Sequence, residues 1–432
     1  MEKVFQKEIM RGVNLTAVQA DKFKTGCLSM TLLTPLSKTT AALNAALPYV
    51  LRRGTARYPD MESLAAALDD LYGARIEPVL RKKGEVQCVG LYADFPDDAF
   101  PPQGVDNLTK TARLMGEMLL SPATRGGRLR AEYVDNERRN LMDDISAEIN
   151  DKRIYASRRL SELMFRGEPY GVSKLGSLTD AAKISVHTLT RHYKELIATA
   201  PMEVFYCGAE EPDRVERVLR EALASLPRTG EMIIPATSVS TDAWTRKPRY
   251  CMEKMDVTQG KLVMGFRLGE TMRAPNHAAL MVFNAIYGGA VTSKLFMNVR
   301  EKLGLCYYAS SGLDRHKGVM IVSSGIEFDK YGEATGEILR QLNALKNGEI
   351  EDWELEGARR AVMSAIYSSL DEPLGLEGMY LDRAMLGLKA HPDELAALAA
   401  EVTREEIAAI ASHAALDTVY FLTGEDEDAE AE

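Results

Sequence analysis

The sequence predicts an α+β protein made of two homologous α/β-sandwich domains that are joined by a linker. The chain has 432 residues, which is too long for one ordinary compact core and favours two domains of roughly 200 residues each. Strands and amphipathic helices alternate through the first half, and the second half repeats their order. Between the halves, residues 227–248 are rich in Thr, Ser, Pro and Gly and show no sustained hydrophobic period, which is typical of a linker.

Hydrophobic periodicity assigns the elements of the first half. In the second predicted helix, Leu64, Leu68 and Leu71 share one face, and Gly73 follows as a stop signal. Two β-type runs flank the polar residues 81–84 and predict a hairpin. The predicted strands are 27–34, 75–80, 85–95 and 203–208, and the predicted helices are 39–53, 61–72, 104–120, 128–165 and 185–199.

The second half contains the same kinds of element in the same order. Thr403 precedes a predicted helix, and Glu406 completes a capping-box pattern with it. The first strands of the two halves, and the glycines Gly54 and Gly288 that end the next helices, are 234 residues apart, and the last strands end 216 residues apart. These similar offsets predict a duplicated domain. The predicted strands are 261–268, 319–328 and 418–423, and the other predicted helices are 275–287 and 333–345.

These assignments set the predicted domain boundaries. They place an N-terminal domain at 1–226, the linker at 227–248, a C-terminal domain at 249–423 and an acidic tail at 424–432. The tail carries six acidic side chains and no basic one, so we expect it to be solvated. The whole chain has a net charge of -10, and the chain without its tail has a net charge of -4. With no basic excess, nucleic acid is excluded as a partner.

The cysteines and the N-terminal residues predict the compartment. Five cysteines are scattered without a CxxC pair, which favours reduced thiols. The first 20 residues lack the apolar region of a signal peptide. No apolar run approaches the ~18 residues of a membrane span. We therefore expect a cytoplasmic protein with no membrane partner.

Sequence motifs in both halves carry a family resemblance. In the second half, residues 288–296 read GGAVTSKLF and residues 299–307 read VREKLGLCY. The first half contains LRRGT at 51–55, LDDLYGA at 68–74, ERRNLMDDI at 137–145 and LSELMFRGEPYG at 160–171. Together with the duplicated α+β domains, these motifs resemble the insulinase (pitrilysin) family of zinc metallopeptidases, which includes the mitochondrial processing peptidase. The resemblance covers nearly the whole chain.

The resemblance implies a zinc motif, His-x-x-Glu-His, shortly before the LRRGT segment, but this chain holds Ala45, Pro48 and Tyr49 at those positions. In active members, two His side chains at i and i+4 share one helix face and bind Zn²⁺, and the Glu activates a water. The third ligand of the family matches Asp144. Ala45 and Pro48 cannot take these roles, and a phenol with a pKa near ~10 is a poor ligand at neutral pH. We therefore expect a degenerate zinc site with no metal in this chain, and a kink at Pro48.

The resemblance also implies a second constellation, an Arg and a Tyr seven residues apart, which Arg300 and Tyr307 match. Arg offers planar charged donors to a peptide carbonyl, and Tyr offers a phenolic donor to a tetrahedral oxyanion. Tyr308 is a competing candidate and would face the other side of a strand. Outside the motif, a local ion pair of the Arg and an ordinary strand aromatic would explain both residues.

The pair Gly288 and Gly289 has two interpretations. A phosphate-binding loop is excluded, because a Gly must stand directly before the Lys and Ser293 precedes Lys294 here. A helix C-cap followed by a flexible loop accounts for the glycines better. By resemblance, we expect both glycines to belong to the substrate-binding motif.

Taken with the family resemblance, this pattern implies the non-catalytic subunit of a heterodimeric zinc peptidase that processes peptides. A homologous partner subunit would carry the zinc, and this chain would have no cofactor and would contribute Arg300 and Tyr307 to a bound peptide. Two alternatives stay open. One is a non-enzymatic scaffold or peptide-binding protein of the same fold. The other is a standalone peptidase with an unusual metal site, against which the lack of clustered His, Cys and Glu speaks.

Overall fold

The structure is a computed structural model that describes residues 3–100, 104–240, 247–273, 277–388 and 392–425. The strands are β1 (Lys3–Met10), β2 (Val13–Gln19), β3 (Thr25–Pro35), β4 (Arg75–Lys83), β5 (Val86–Pro96), β6 (Thr124–Arg125), β7 (Arg128–Leu129), β8 (Met202–Gly208), β9 (Arg249–Lys254), β10 (Gly260–Arg267), β11 (Cys306–Asp314), β12 (Val319–Ile326) and β13 (Ala415–Thr423).

The α-helices lie between these strands, and two π-helical segments, Ala285–Gly289 and Leu295–Lys302, follow α9. The helices are α1 (Ala41–Leu51), α2 (Met61–Asp69), α3 (Asn107–Leu120), α4 (Ala131–Ala147), α5 (Lys152–Met164), α6 (Leu178–Ala182), α7 (Val186–Thr199), α8 (Pro212–Ala222), α9 (His277–Asn284), α10 (Tyr331–Lys346), α11 (Asp352–Leu370), α12 (Pro373–Leu386), α13 (Pro392–Glu401) and α14 (Arg404–His413).

The chain forms two compact units, and neither is continuous in sequence. The first unit comprises Met1–Ser146, Val172–Ala236 and Asp371–Gly387, and the second comprises Ala147–Gly171, Thr237–Leu370 and Leu388–Glu432. Helix α5 therefore belongs to the second unit and helix α12 to the first. The sequence-based domain ranges, drawn as continuous segments, did not anticipate this exchange.

The first unit is built on a six-stranded sheet in the order β1-β2-β8-β3-β5-β4. Strand β3 pairs antiparallel with β5 and β8, and β8 runs parallel to β2. Alternate residues of β3, Leu28, Met30 and Leu32, are buried in a core that includes apolar side chains of α1, α3, α7 and α8. This packing fixes the position of α1 on the sheet.

Helix α12 in the first unit is held by apolar packing of Leu381 against Leu33 and by several polar contacts. Ser29 donates a hydrogen bond to Glu377 at 3.1 Å, and Arg81 forms an ion pair with the same carboxylate. The rings of Phe205 and Tyr380 stack with centroids 5.9 Å apart. These contacts lie on the strand positions that alternate with the core positions, so α12 covers the second face of the sheet.

The second unit is built on a five-stranded sheet in the order β11-β12-β10-β13-β9. Strand β10 pairs antiparallel with β12 and β13, and β13 runs parallel to β9. This is the topology of the first sheet with β10, β13, β9, β12 and β11 in the places of β3, β8, β2, β5 and β4. The predicted duplication and the predicted α+β fold class are therefore confirmed, and β1 has no counterpart among the strands of the second sheet in the described residues.

Most predicted elements lie within a few residues of observed ones, but the predicted helix at 128–165 is wrong. It is two helices, α4 and α5, separated by a 3₁₀ turn, Glu148–Asn150. Asp151 has an extended backbone, and its carboxylate accepts hydrogen bonds from the amides of Arg153 and Ile154. This N-cap begins a new helix, so the direction of the chain can change where it passes from the first unit to the second.

The linker and the tail lie only partly within the described residues. Residues 227–240 contain no helix or strand, and the Ile233 amide donates a hydrogen bond to the Thr199 carbonyl at 2.9 Å. Residues 241–246 of the linker and 426–432 of the tail lie outside the described part of the chain. No helix within the described residues is long and apolar enough to cross a membrane.

Candidate functional site

The positions that match the zinc motif lie on α1. Ala45 is buried in the core of the first unit, whereas Tyr49 keeps 44% of its surface exposed. Pro48 lies inside the helix, and α1 continues beyond it to Leu51. Ala45 has no donor atom, and Pro48 offers neither a ligand nor a base. These residues do not fit a zinc ion.

A buried polar network fixes α1 against its neighbours. Asn44 donates a hydrogen bond to Gln87 of β5 at 2.8 Å, and its side-chain oxygen lies 2.6 Å from His192 Nε2 of α7. Gln87 in turn donates to the Ala41 carbonyl. Burial lowers the pKa of His192, so the neutral ring is favoured and donates to the Asn44 oxygen. No local sequence pattern indicates this network, because its residues are far apart along the chain.

Acidic side chains surround Tyr49. Burial raises the pKa of the Tyr49 phenol, and the carboxylates of Asp144, Glu137 and Glu77 raise it further. Asp144 is exposed on α4. Because its carboxylate acts on the Tyr49 phenol, the residue that matches the third zinc ligand lies near the residue that matches the second His. Glu137 is neutralised by an ion pair with Arg53. Within the described residues, no group of three or more His, Cys, Asp or Glu side chains could hold a metal ion.

Arg300 lies in the second unit, in the π-helical segment Leu295–Lys302. Its guanidinium stacks over the Phe296 ring at 4.8 Å and lies 3.5 Å from the Glu301 carboxylate. The side chain is 42% exposed. Burial raises the pKa of the Cys306 thiol, and the Ser324 hydroxyl and the Arg300 guanidinium oppose that shift. Arg300 therefore lies near the first residue of β11.

Tyr307 follows Cys306 and is the extra residue of a β-bulge. Cys306 pairs with Ile326 and Tyr308 pairs with Gly325, so Tyr307 has no partner on β12. Its side chain is 62% exposed. The neighbouring Tyr308 is half-buried under the guanidinium of Arg153, which lies 4.7 Å from its ring. At the bulge, the Tyr307 side chain is therefore exposed to solvent, whereas the Tyr308 ring packs against Arg153.

The glycine pair lies at the end of the π-helical segment Ala285–Gly289, in agreement with the predicted helix end at these residues. Gly288 is buried, and a Cβ there would lie 2.7 Å from the amide nitrogen and the hydroxyl of Ser311. Glycine therefore allows this segment to approach β11 closely. Gly289 is exposed. The expected role of both glycines in substrate binding stays a prediction.

A buried ion pair, which the sequence did not predict, helps to hold in place the segment that carries Arg300. Lys294 lies directly before the segment that carries Arg300, and its ammonium donates to both carboxylate oxygens of Glu354 at 2.9 Å. Both side chains are less than a tenth exposed. Glu354 lies on α11, so this pair ties the motif to a core helix. The predicted site residues thus fall into two groups, one in each unit.

Comparisons with known proteins agree with the fold and with the motifs. Residues 183–362 match the family model described as Peptidase M16 inactive domain. The chain is 31% identical over 413 residues to the probable inactive metalloprotease YmfF of Bacillus subtilis (strain 168), covering 96% of each chain. It is 22% identical over 257 residues to an uncharacterized zinc protease of Mycobacterium leprae (strain TN), covering 59% of this chain and 57% of the relative.

A solved structure, described as a conserved protein from Enterococcus faecalis V583, resembles this chain along nearly its whole length. The TM-score is 0.89 with 26% sequence identity, and the match covers 98% of this chain and 99% of that chain. Similarity along the whole length in both sequence and structure means that the two units together, and not one of them, are what these proteins share.

Proposed function

The chain belongs to the M16 (insulinase) family of metallopeptidases as an inactive member, and from this premise we propose that it is the non-catalytic subunit of a heterodimeric zinc peptidase. A homologous subunit with an intact His-x-x-Glu-His helix is the proposed partner. The proposed substrate is an extended peptide. The observation that carries the proposal is that the zinc motif on α1 is lost while Arg300 and Tyr307 are both present and exposed.

The changes on α1 support a role that does not need this chain's own metal. A single replaced ligand would leave part of a zinc site, but Ala45 and Pro48 remove one ligand and the general base together. The same helix stays well packed, with Asn44 hydrogen bonded to Gln87 and near His192. A helix that stays ordered after losing its zinc ligands and its general base is consistent with a subunit that still binds a partner or a peptide.

The surroundings of Arg300 and Tyr307 support a role toward substrate. The exposed Arg300 guanidinium has only the half-exposed Glu301 as a charged neighbour among its described contacts, and such surface pairs are worth about 1 kcal/mol or less. It can exchange that contact for a peptide carbonyl. Tyr307 is 62% exposed, so its phenol is available as a donor to a developing oxyanion.

The relatives support a family with both kinds of member. One relative is named a probable inactive metalloprotease and another a zinc protease. A subunit of the first kind paired with a subunit of the second kind would give one complete zinc site and one set of Arg and Tyr donors.

The test is reconstitution with the zinc-bearing homologue from the same cell. The tagged chain is purified from its native cell, and its stoichiometric partner is identified by mass spectrometry and assayed for zinc. Cleavage of a fluorogenic peptide library is then measured for the pair and for each subunit alone. We expect one zinc per pair, carried by the partner, and cleavage only by the pair.

Other outcomes of this experiment would overturn the proposal. A chain that stays alone, or that is recovered in a large assembly without peptide cleavage, would support a scaffold or peptide-binding protein of the same fold. Zinc-dependent cleavage by this chain alone would support a standalone peptidase.

A further inference from the structure

A cleft of about 310 Å³ lies in the first unit, between α2 and α3, away from the residues on α1 and α4 discussed above. Four residues of α3 line one wall: Lys110, Arg113, Leu114 and Glu117. Their spacing of three, four and seven residues places them on one helix face. The rise of a helix separates the first and last of them by about 10 Å along the axis. One wall of the cleft therefore has a cationic end and an anionic end.

The anionic end has an unsatisfied acceptor. The Oε2 atom of Glu117 is buried and has no hydrogen-bond partner among the described residues. Its other oxygen lies 3.9 Å from the Arg57 guanidinium, at the limit of an ion pair. A buried carboxylate oxygen without a donor is unfavourable, since it loses its water without compensation. The rest of the carboxylate is accessible to solvent, since the side chain is 30% exposed, and it can pair with the ammonium group of a ligand.

The cationic end is formed by two exposed side chains, Lys110 and Arg113. The ammonium of Lys110 is exposed and forms no hydrogen bond or ion pair within the part of the chain that the structure describes. Among the residues that the structure describes, Arg113 forms an ion pair only with the exposed Glu221, at 3.5 Å. These two side chains, one helical turn apart, can both reach a carboxylate. The opposite wall, formed by α2 and the residues that follow it, adds the carboxylate of Asp70.

The middle of the cleft is apolar and has an ordered end wall. Leu71, which follows α2, and Leu114 of α3 line it, with Tyr58 beside them. The Thr55 amide donates to the Tyr58 carbonyl at 2.7 Å, and the Thr55 hydroxyl accepts from the Tyr58 amide at 2.9 Å. This turn is therefore formed before any ligand arrives, which reduces the entropy cost of binding.

We propose that this cleft binds short peptides, about three residues long, by their free termini. An extended chain spans at most about 3.3–3.6 Å per residue, so three residues match the separation of about 10 Å along α3 between Lys110 and Glu117. The ammonium terminus binds at Glu117, the carboxylate terminus binds at Lys110 and Arg113, and an apolar central side chain contacts Leu71 and Leu114. The site is independent of the proposed role of the chain as a peptidase subunit.

The experiment titrates the full chain with the tripeptide Ala-Leu-Ala by isothermal titration calorimetry. The N-acetylated and C-amidated forms of the same peptide are titrated in parallel. We expect the free tripeptide to bind, and each blocked form to bind at least roughly tenfold more weakly, because each loses a charge-assisted contact. No binding of the free tripeptide at millimolar concentration, or equal binding of the blocked forms, would overturn the proposal.

Matched variants locate the site. Glu117→Gln and Lys110→Met each remove one charge from the cleft, and Glu195→Gln and Lys194→Met remove the same charges from exposed positions on α7. We expect the cleft variants to weaken binding of the free tripeptide roughly tenfold and the α7 variants to leave it unchanged. Circular dichroism checks that each variant is folded. Unchanged affinity in both folded cleft variants would place the peptide elsewhere and contradict the proposal.

Discussion

Glu168 accepts a hydrogen bond from the Lys317 ammonium at 2.7 Å, and the Lys317 side chain has no exposed surface. The other carboxylate oxygen of Glu168 accepts from Arg267, also at 2.7 Å. Burial alone would raise the pKa of Glu168, but these two donors lower it. One carboxylate in the segment that follows α5 thus pairs with two cations, Arg267 of β10 and Lys317 between β11 and β12. This contact helps to attach the exchanged helix to the second unit.

The first prediction is that Glu168→Ala destabilises the protein. The substitution removes the carboxylate that pairs with both the buried Lys317 and Arg267, and breaking a buried ion pair typically costs about 3–5 kcal/mol. We expect a lower midpoint of urea unfolding, followed by fluorescence. Glu333→Ala is the control, because Glu333 is 64% exposed and pairs with Lys330 across one helical turn. It should cost less than about 0.5 kcal/mol. Equal midpoints for the two variants would contradict the inference that Glu168 anchors the exchanged segment.

Residues such as Glu168 show where prediction from sequence ends. The repeated order of strands and helices could be predicted, because periodicity is a local property of the chain. Which sheet a helix covers is decided by contacts such as Glu168 with Lys317 or Glu377 with Arg81, whose partners are 149 and 296 residues apart. The break between α4 and α5 depends on one N-cap, Asp151, inside a run that is otherwise compatible with one helix.

The second prediction separates Tyr307 from Tyr308. In a reconstituted, active pair, Tyr307→Phe should lower kcat by roughly 10²–10³, the usual effect of losing one oxyanion donor. Tyr308→Phe should leave kcat nearly unchanged, because that ring is held under Arg153 and is half-buried. Steady-state kinetics with one peptide substrate measures both. The reverse order of effects would assign the role to Tyr308.

The motif itself could be predicted from the sequence, but the choice between these tyrosines could not. Simple strand alternation places successive residues on opposite faces and gives no preference. The β-bulge at Tyr307 alters that alternation locally, and it depends on the register between β11 and β12.

The third prediction concerns the degenerate zinc site. The triple variant Ala45→His, Pro48→Glu and Tyr49→His restores two ligands on one helix face, with Asp144 of α4 as the third. We expect the variant to retain one equivalent of zinc after dialysis and the natural chain to retain well under one. Metal analysis by mass spectrometry measures both.

The control for the triple variant adds Asp144→Ala to it. This change removes the third ligand and should lower zinc affinity strongly, because structural and catalytic zinc sites use at least three protein ligands. If zinc were retained equally with and without Asp144, the match between that residue and the third ligand of the family would be wrong.

The last prediction is a pH dependence that comes from Glu203. This residue lies on β8 opposite Thr31, and Asn14 donates a hydrogen bond to its carboxylate at 2.8 Å. Burial raises the pKa of Glu203 from 4.5 to about 7. In this window the folded state binds a proton that the unfolded state has released, so the free energy of unfolding falls as the pH rises from about 4.5 to about 7.

Glu203→Gln keeps the shape of the protonated carboxyl group without a titrating proton. Relative to the natural chain, the variant should therefore gain stability as the pH rises from 5 to 8, measured by urea unfolding at each pH. Glu195→Gln, at an exposed position, should show no such trend. A difference between Glu203→Gln and the natural chain that stays constant with pH would mean that Glu203 titrates alike in the folded and unfolded states.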